Sequence, residues 1–106
     1  MIRNLIMSGG VAHDYARTSP ILSDILVEVG VTSEIHEDFE VLEDGGLVGF
    51  DMLTLNCVRW TCDQTPHWRD DWHFELSAAA RRGFLNFLAQ GKGLLALHGA
   101  TICFDD

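Results

Sequence analysis

Short apolar runs that stop at glycine alternate in this chain with longer stretches of helical periodicity. That alternation restricts the fold more than any other feature. Residues 3–8 (Arg-Asn-Leu-Ile-Met-Ser) read as a buried strand halted by Gly9-Gly10. Ser19-Pro20 offers a helix N-cap with proline at the first helical position. Ile21, Leu22, Ile25, Leu26 and Val29 then form one apolar face, with Asp24 and Glu28 on the polar side and Gly30 as the stop. Residues 31–37 predict a second strand and 50–55 (Phe-Asp-Met-Leu-Thr-Leu) a third. Residues 75–90 predict a second helix, with Leu76, Ala80, Phe84, Phe87 and Leu88 on one face and Gly91 at its end. Residues 93–97 predict a fourth strand. Strands alternating with helices define βαβ units, so the expectation is an α/β fold with a doubly wound, flavodoxin-like parallel sheet in the order 2-1-3-4.

Length allows one domain, spanning 1–106. Hydrophobic residues make up 47% and charged residues 22%, which is a globular composition. The formal net charge of −9 argues against phosphate backbones and anionic membrane surfaces as partners, because both need a basic face. No apolar run approaches a membrane span, and the N-terminus lacks a long apolar signal segment. Cys57, Cys62 and Cys103 form neither a C-x-x-C pair nor an even set. They read as reduced thiols in a cytoplasmic protein. The acidic run Glu37, Asp38, Glu40, Glu43 and Asp44 reads as a solvated loop, anchored by Val41 and Leu42, rather than a cation site.

Doubly wound sheets bind ligands at the carboxyl ends of their strands, where strand order reverses. Here that edge comprises the segment from Gly9 to Tyr15, the connection from Asn56 onward, and the turn from His98 onward. Gly9-Gly10 allows close backbone approach, but neither G-x-G-x-x-G nor a P-loop is present. His13 and Asp14 can act as a base, a hydrogen-bonding pair or metal ligands, or else cap the next helix. The connection 56–73 carries Trp60, Trp68 and Trp72, whose faces suit sugar stacking or, alternatively, a satellite core or an oligomer interface. Leu94-Leu95-Ala96-Leu97-His98-Gly99-Ala100 has the layout of a nucleophile elbow with histidine at its tip. Histidine there suits a general base, a proton donor or a ligand; the alternative is a histidine bonded to neighbouring backbone. The histidine and cysteine spacings match no zinc motif. A site assembled in space from His13, His98 and an aspartate stays open, so no cofactor is predicted and a divalent metal is not ruled out.

These residues resemble the trehalose-utilisation (ThuA-like) family, a branch of the class I glutamine-amidotransferase-like superfamily. The matching pieces are Gly9-Gly10-x-x-His13-Asp14, Phe50-Asp51, and the stretch from Gly91 through Lys92, Gly93 and the elbow to Ala100. The resemblance covers most of the chain, and its last piece is the most specific. It implies a domain tied to the utilisation of trehalose and related disaccharides through keto-sugar intermediates. In glutamine amidotransferases the elbow reads G-x-C-x-G with a cysteine nucleophile. His98 stands in that place here, so cysteine-based glutaminase chemistry is not expected. Cys103 is expected inside the following helix and not to substitute for it. His98 and His13 are the candidate catalytic residues. Gly10, Asp14, Asn56, Trp60, Trp68 and Gly99 are the candidate substrate-binding residues. ThuA-like domains continue past the elbow, which implies that this chain is the first part of a larger fold. The expected partners are a small-molecule sugar and either a second copy or the remaining half. An open fourth strand would make the isolated chain poorly soluble.

Overall fold

The structure, a computed structural model, describes residues 1–105. Four strands, β1 (Ile2–Gly10), β2 (Val31–His36), β3 (Met52–Val58) and β4 (Gly93–Ala96), form one parallel sheet in the order β2-β1-β3-β4. The expected α/β sheet of flavodoxin-like type and its strand order are therefore present. Three helices accompany it: α1 (Tyr15–Val27), α2 (Pro66–Trp72) and α3 (Ala78–Ala89). Two 3₁₀ turns, Phe39–Leu42 and His98–Ile102, complete the elements.

The period-two alternation of β1 and β3 divides the sheet into two unlike faces. Leu5 and Met7 of β1 join Leu53, Leu55 and Cys57 of β3 on the apolar face. Phe39, Leu42, Phe50, Leu76, Ala80 and Phe87 close over them. The helix face read from residues 75–90 is thus the buried one, although α3 begins later, behind its N-cap Ser77, whose hydroxyl accepts from Ala80 N at 3.0 Å. In the acidic run the anchors are Phe39 and Leu42, both buried, while Val41 only borders the core.

The opposite face carries buried Asn4, Ser8, Thr54 and Asn56 beside Ile6. Thr54 Oγ1 donates to Asn4 Oδ1 at 2.9 Å, and Asn4 Nδ2 donates to Ser33 Oγ at 3.1 Å. Against this face α1 places Ser19, which is fully buried. Its hydroxyl lies 2.7 Å from Ser8 Oγ and accepts from Asn56 Nδ2 at 2.9 Å. Asn56 Nδ2 also reaches Thr18 Oγ1 at 3.1 Å. Each such bond is worth only about 1 kcal/mol net, but a partner left unpaired in the interior costs about 1–3 kcal/mol.

This arrangement overturns the sequence reading of the first helix. The helix starts at Tyr15 with Asp14 as its N-cap, so Ser19 is interior and Pro20 lies inside the helix. The side turned inward is the line of Tyr15, Ser19, Leu22, Ser23 and Leu26, while Ile21, Ile25 and Val29 are exposed. A polar sheet face selects a helix side that carries hydroxyls, because an all-apolar side would leave Ser8 and Asn56 without partners. The third strand is also displaced from 50–55. It takes Asn56, Cys57 and Val58 from the supposed connection, and a further part of that connection forms α2.

Candidate functional site

Gly9 and Gly10 do not stop the first strand as expected but belong to β1. Gly10 is paired in register with Val58, the last residue of β3, and Gly99, in the turn after β4, lies against the same residue. A Cβ on Gly10 would sit 2.2 Å from the Val58 carbonyl oxygen, and one on Gly99 would sit 2.6 Å from Val58 Cγ2. The absent side chains let the loop after β1 and the turn after β4 close on the same residue. His13 and His98, carried by those two turns, come together as a result. Their ring centroids lie 5.1 Å apart at 72°. His13 also lies edge-on to Tyr15, at 5.8 Å. His98 itself adopts φ +48°, the left-handed region that costs a non-glycine residue about 1–2 kcal/mol. A strained residue at the strand-to-turn junction is the geometry of an elbow.

Two cavities open beside the histidine pair. The smaller, about 180 Å³, is lined by His13, Tyr15, Thr18, Asn56, Leu97 and His98. The larger, about 630 Å³, lies between the His13 loop, Trp60, Trp68 and the turn after β4, and Gly99, Gln64, Thr65, Cys103 and Asp105 also line it. A volume of this size suits a small organic ligand. Thr65 Oγ1 is buried beside it with no hydrogen-bond partner among the described residues.

The sequence-predicted residues separate into roles. His13, Trp60, Trp68 and Gly99 line the larger cavity, and His98 and Asn56 reach only the smaller one. Asn56 is occupied in holding α1 through Thr18 and Ser19. Gly10 and Asp14 border a third cavity, of about 260 Å³, which His13, Arg59 and Trp72 also line. Asp14 occupies the N-cap position of α1 but makes no side-chain cap bond. Trp60 is 4% exposed and belongs to a second core with Val11, Tyr15, Val58 and Cys62, against which Trp68 and Trp72 pack. Trp68 stands edge-on to Trp60 at 5.9 Å and 87°. Trp60 is therefore chiefly a structural wall, and Trp68 is the more open ring.

Thr61 ties this wall together. Its amide and hydroxyl donate to the two oxygens of Asp105 at 2.9 and 2.8 Å. Burial alone would raise the Asp105 carboxyl, but those two bonds and the nearby His73 together hold it below its ordinary value. His73 Nδ1 donates to the Thr61 carbonyl at 2.7 Å, and its Nε2 lies 3.1 Å from Glu75 Oε2. The Glu75 carboxylate first, and the Thr61 carbonyl second, raise the His73 pKa above its ordinary value. Any stability from this pair is present below the unfolded histidine pKa and is lost as pH rises through the raised folded value. A proton NMR titration should find His73 titrating above a free histidine, and Glu75→Gln should lower it. An unchanged midpoint in that variant would remove Glu75 as the cause.

Sequence reasoning missed Thr65, Cys103 and Asp105 at this edge. Arg59 and Gln64 belong to the polar residues of the 56–73 connection read as flanking the tryptophans, and a Cβ on Gly9 would lie 2.6 Å from the Arg59 guanidinium. Cys103 is not within a helix but follows the turn that ends at Ile102. Among the described residues no group of three or more His, Cys, Asp or Glu is placed to hold a metal ion, so the assembled site of His13, His98 and an aspartate does not form. Among them too, no helix is long and apolar enough to cross a membrane. The chain matches no protein-family model, no curated protein and no solved structure.

Proposed function

We propose that this chain is a ThuA-like domain that handles a disaccharide or its keto derivative at the carboxyl edge of the sheet. The observation that carries the reading is the contact of His13 with His98, in which His13 lines an aromatic-walled cavity of about 630 Å³ and His98 lines the neighbouring cavity of about 180 Å³ that His13 shares. Imidazole is the side chain whose ordinary titration range spans neutrality. Two in contact can share the work, one withdrawing a proton from a sugar hydroxyl or a carbon next to a keto group, the other donating one. Trp68 offers a flat face to a pyranose ring, and Gln64, Thr65 and Asp105 offer polar groups to its hydroxyls. The elbow carries histidine, so no acyl-enzyme through cysteine is part of this reading. The three thiols, none of them disulfide-bonded, support a reducing, cytoplasmic compartment, and the acidic charge supports a partner other than nucleic acid.

Calorimetric titration with trehalose and with a keto derivative of it tests this reading. Saturable binding of either sugar is expected, and turnover of the bound sugar should disappear in His98→Ala. Full turnover in that variant removes His98 from the chemistry. Binding without any product leaves a non-catalytic sugar-binding module, and no binding of either sugar sinks the proposal.

A second reading, an assembly module, is favoured by one observation. Ile21, Ile25 and Val29 are exposed near α1, and Leu94 is exposed on the outer strand β4. Sedimentation across a range of concentrations decides it, since a monomer throughout excludes self-association.

A further inference from the structure

Two of the three cysteines, 46 residues apart in sequence, meet under the larger cavity. Cys57 Sγ and Cys103 Sγ are 3.7 Å apart. Cys57 sits on β3 and is 1% exposed, whereas Cys103 is partly exposed and lines the cavity. The Arg59 amide N–H donates to Cys103 Sγ at 3.3 Å, and the Cys103 thiol in turn reaches the Cys57 carbonyl at 3.4 Å. Cys62, the third thiol, is fully buried in the other core and bonds to the Trp60 carbonyl at 3.7 Å.

We propose that Cys103 is an oxidation site for hydrogen peroxide and that Cys57 is its resolving partner, the pair closing to an intramolecular disulfide. The Cys103 thiolate attacks one peroxide oxygen, the O–O bond breaks, and the departing hydroxide takes a proton to leave as water. Cys103 is then a sulfenic acid. Cys57 attacks the Cys103 sulfur, the S–O bond breaks, and the Cys57 proton leaves with the hydroxyl as a second water. Two thiols and one peroxide thus become one disulfide and two waters, with peroxide reduced and both sulfurs oxidised.

Three features of the site favour this order. Cys103 accepts from the Arg59 amide, and the contact with Cys57 lowers its pKa, whereas Cys57 is held protonated by that contact and by burial. The Arg59 side chain adds positive charge to the same neighbourhood. Disulfide formation needs the sulfurs to close by about 1.7 Å from their present separation. Cys103 caps the last 3₁₀ turn with its N–H on the Ala100 carbonyl at 3.1 Å, and the next N–H, of Phe104, holds the segment against the Arg59 carbonyl at 3.0 Å, which keeps the two sulfurs in register.

The test uses the full chain, reduced and desalted, then treated with hydrogen peroxide. Intact mass should fall by two hydrogens, two free thiols should vanish, and peptide mapping should recover a Cys57–Cys103 link that dithiothreitol reverses. In Cys57→Ser, dimedone should capture a sulfenic acid on Cys103. In Cys103→Ser the remaining thiols should survive the same treatment, and in Cys62→Ser the link should form as in the parent. A parent chain that keeps three thiols under excess peroxide overturns the proposal. So does a link that includes Cys62, or one that joins two chains on a non-reducing gel.

Discussion

Replacing Gly83 with alanine is expected to cost about 3 kcal/mol or more, despite the better helix propensity of alanine. That propensity favours alanine by about 1 kcal/mol. Against it stands a contact: a Cβ on Gly83 would lie 1.8 Å from the Leu42 carbonyl oxygen and 3.0 Å from its carbon. An ordinary carbon–oxygen approach is about 3.3 Å, so helix and turn would have to part by roughly 1.5 Å. Ala80 and Phe87, 2% and 3% exposed on the same helix, would be drawn out of the core with it. Strain of this kind lies at or beyond the upper end of overpacking costs. For a domain this size, about 3 kcal/mol lowers the melting midpoint by roughly 12 °C or more. Gly91→Ala is the control. A Cβ there meets nothing within 4 Å, and only its φ of +79° opposes a side chain, at about 1–2 kcal/mol. Urea unfolding of both variants decides the matter. Equal loss in the two, or a Gly83→Ala midpoint at the parent value, would show that α3 does not rest on the Leu42 backbone.

The second large effect separates two tryptophans that look equivalent in sequence. Trp60→Ala is expected to destabilise the fold by about 3–5 kcal/mol, the range for emptying a buried large aromatic. Its ring supports Val11, Tyr15, Val58 and Cys62, and its loss also removes a wall of the larger cavity. Trp68→Ala should leave the fold nearly as stable, because Trp68 only borders that core. Sugar binding by Trp68→Ala should nevertheless weaken at least ~10-fold, the equivalent of about 1.4 kcal/mol. Chemical denaturation and calorimetric titration, run on both variants, give four numbers. A Trp68→Ala protein that binds sugar like the parent would remove the stacking role. A Trp60→Ala protein as stable as the parent would contradict the second core.

Much of the fold was legible because its signals are local. Glycine stops, the Phe84–Phe87–Leu88 face and the alternation of elements suffice for a parallel sheet and its order. The orientation of α1 was not legible. Hydrophobic periodicity assumes that the sheet face it meets is apolar, and Asn4, Ser8, Thr54 and Asn56 make this one polar. The end of β3 was misplaced for the same reason, since Asn56 reads as loop until Ser19 and Thr18 supply its partners. At the candidate site, the meeting of His13 and His98 follows from fold order plus two glycines. The pairing of Cys57 with Cys103 does not, because no spacing rule links residues 46 apart.

Oily contacts between a helix and a sheet tolerate sliding; donors and acceptors do not. The hydroxyls and amides beneath α1 therefore index the helix, as teeth index a rack. A displacement by one turn, about 5.4 Å, would move Ser19 out of reach of both Ser8 and Asn56. The loop that carries His13 enters the helix at Tyr15, four residues before Ser19, so its endpoint inherits that setting. A histidine at the ligand edge is thus placed by a short row of polar side chains on the buried face of the sheet.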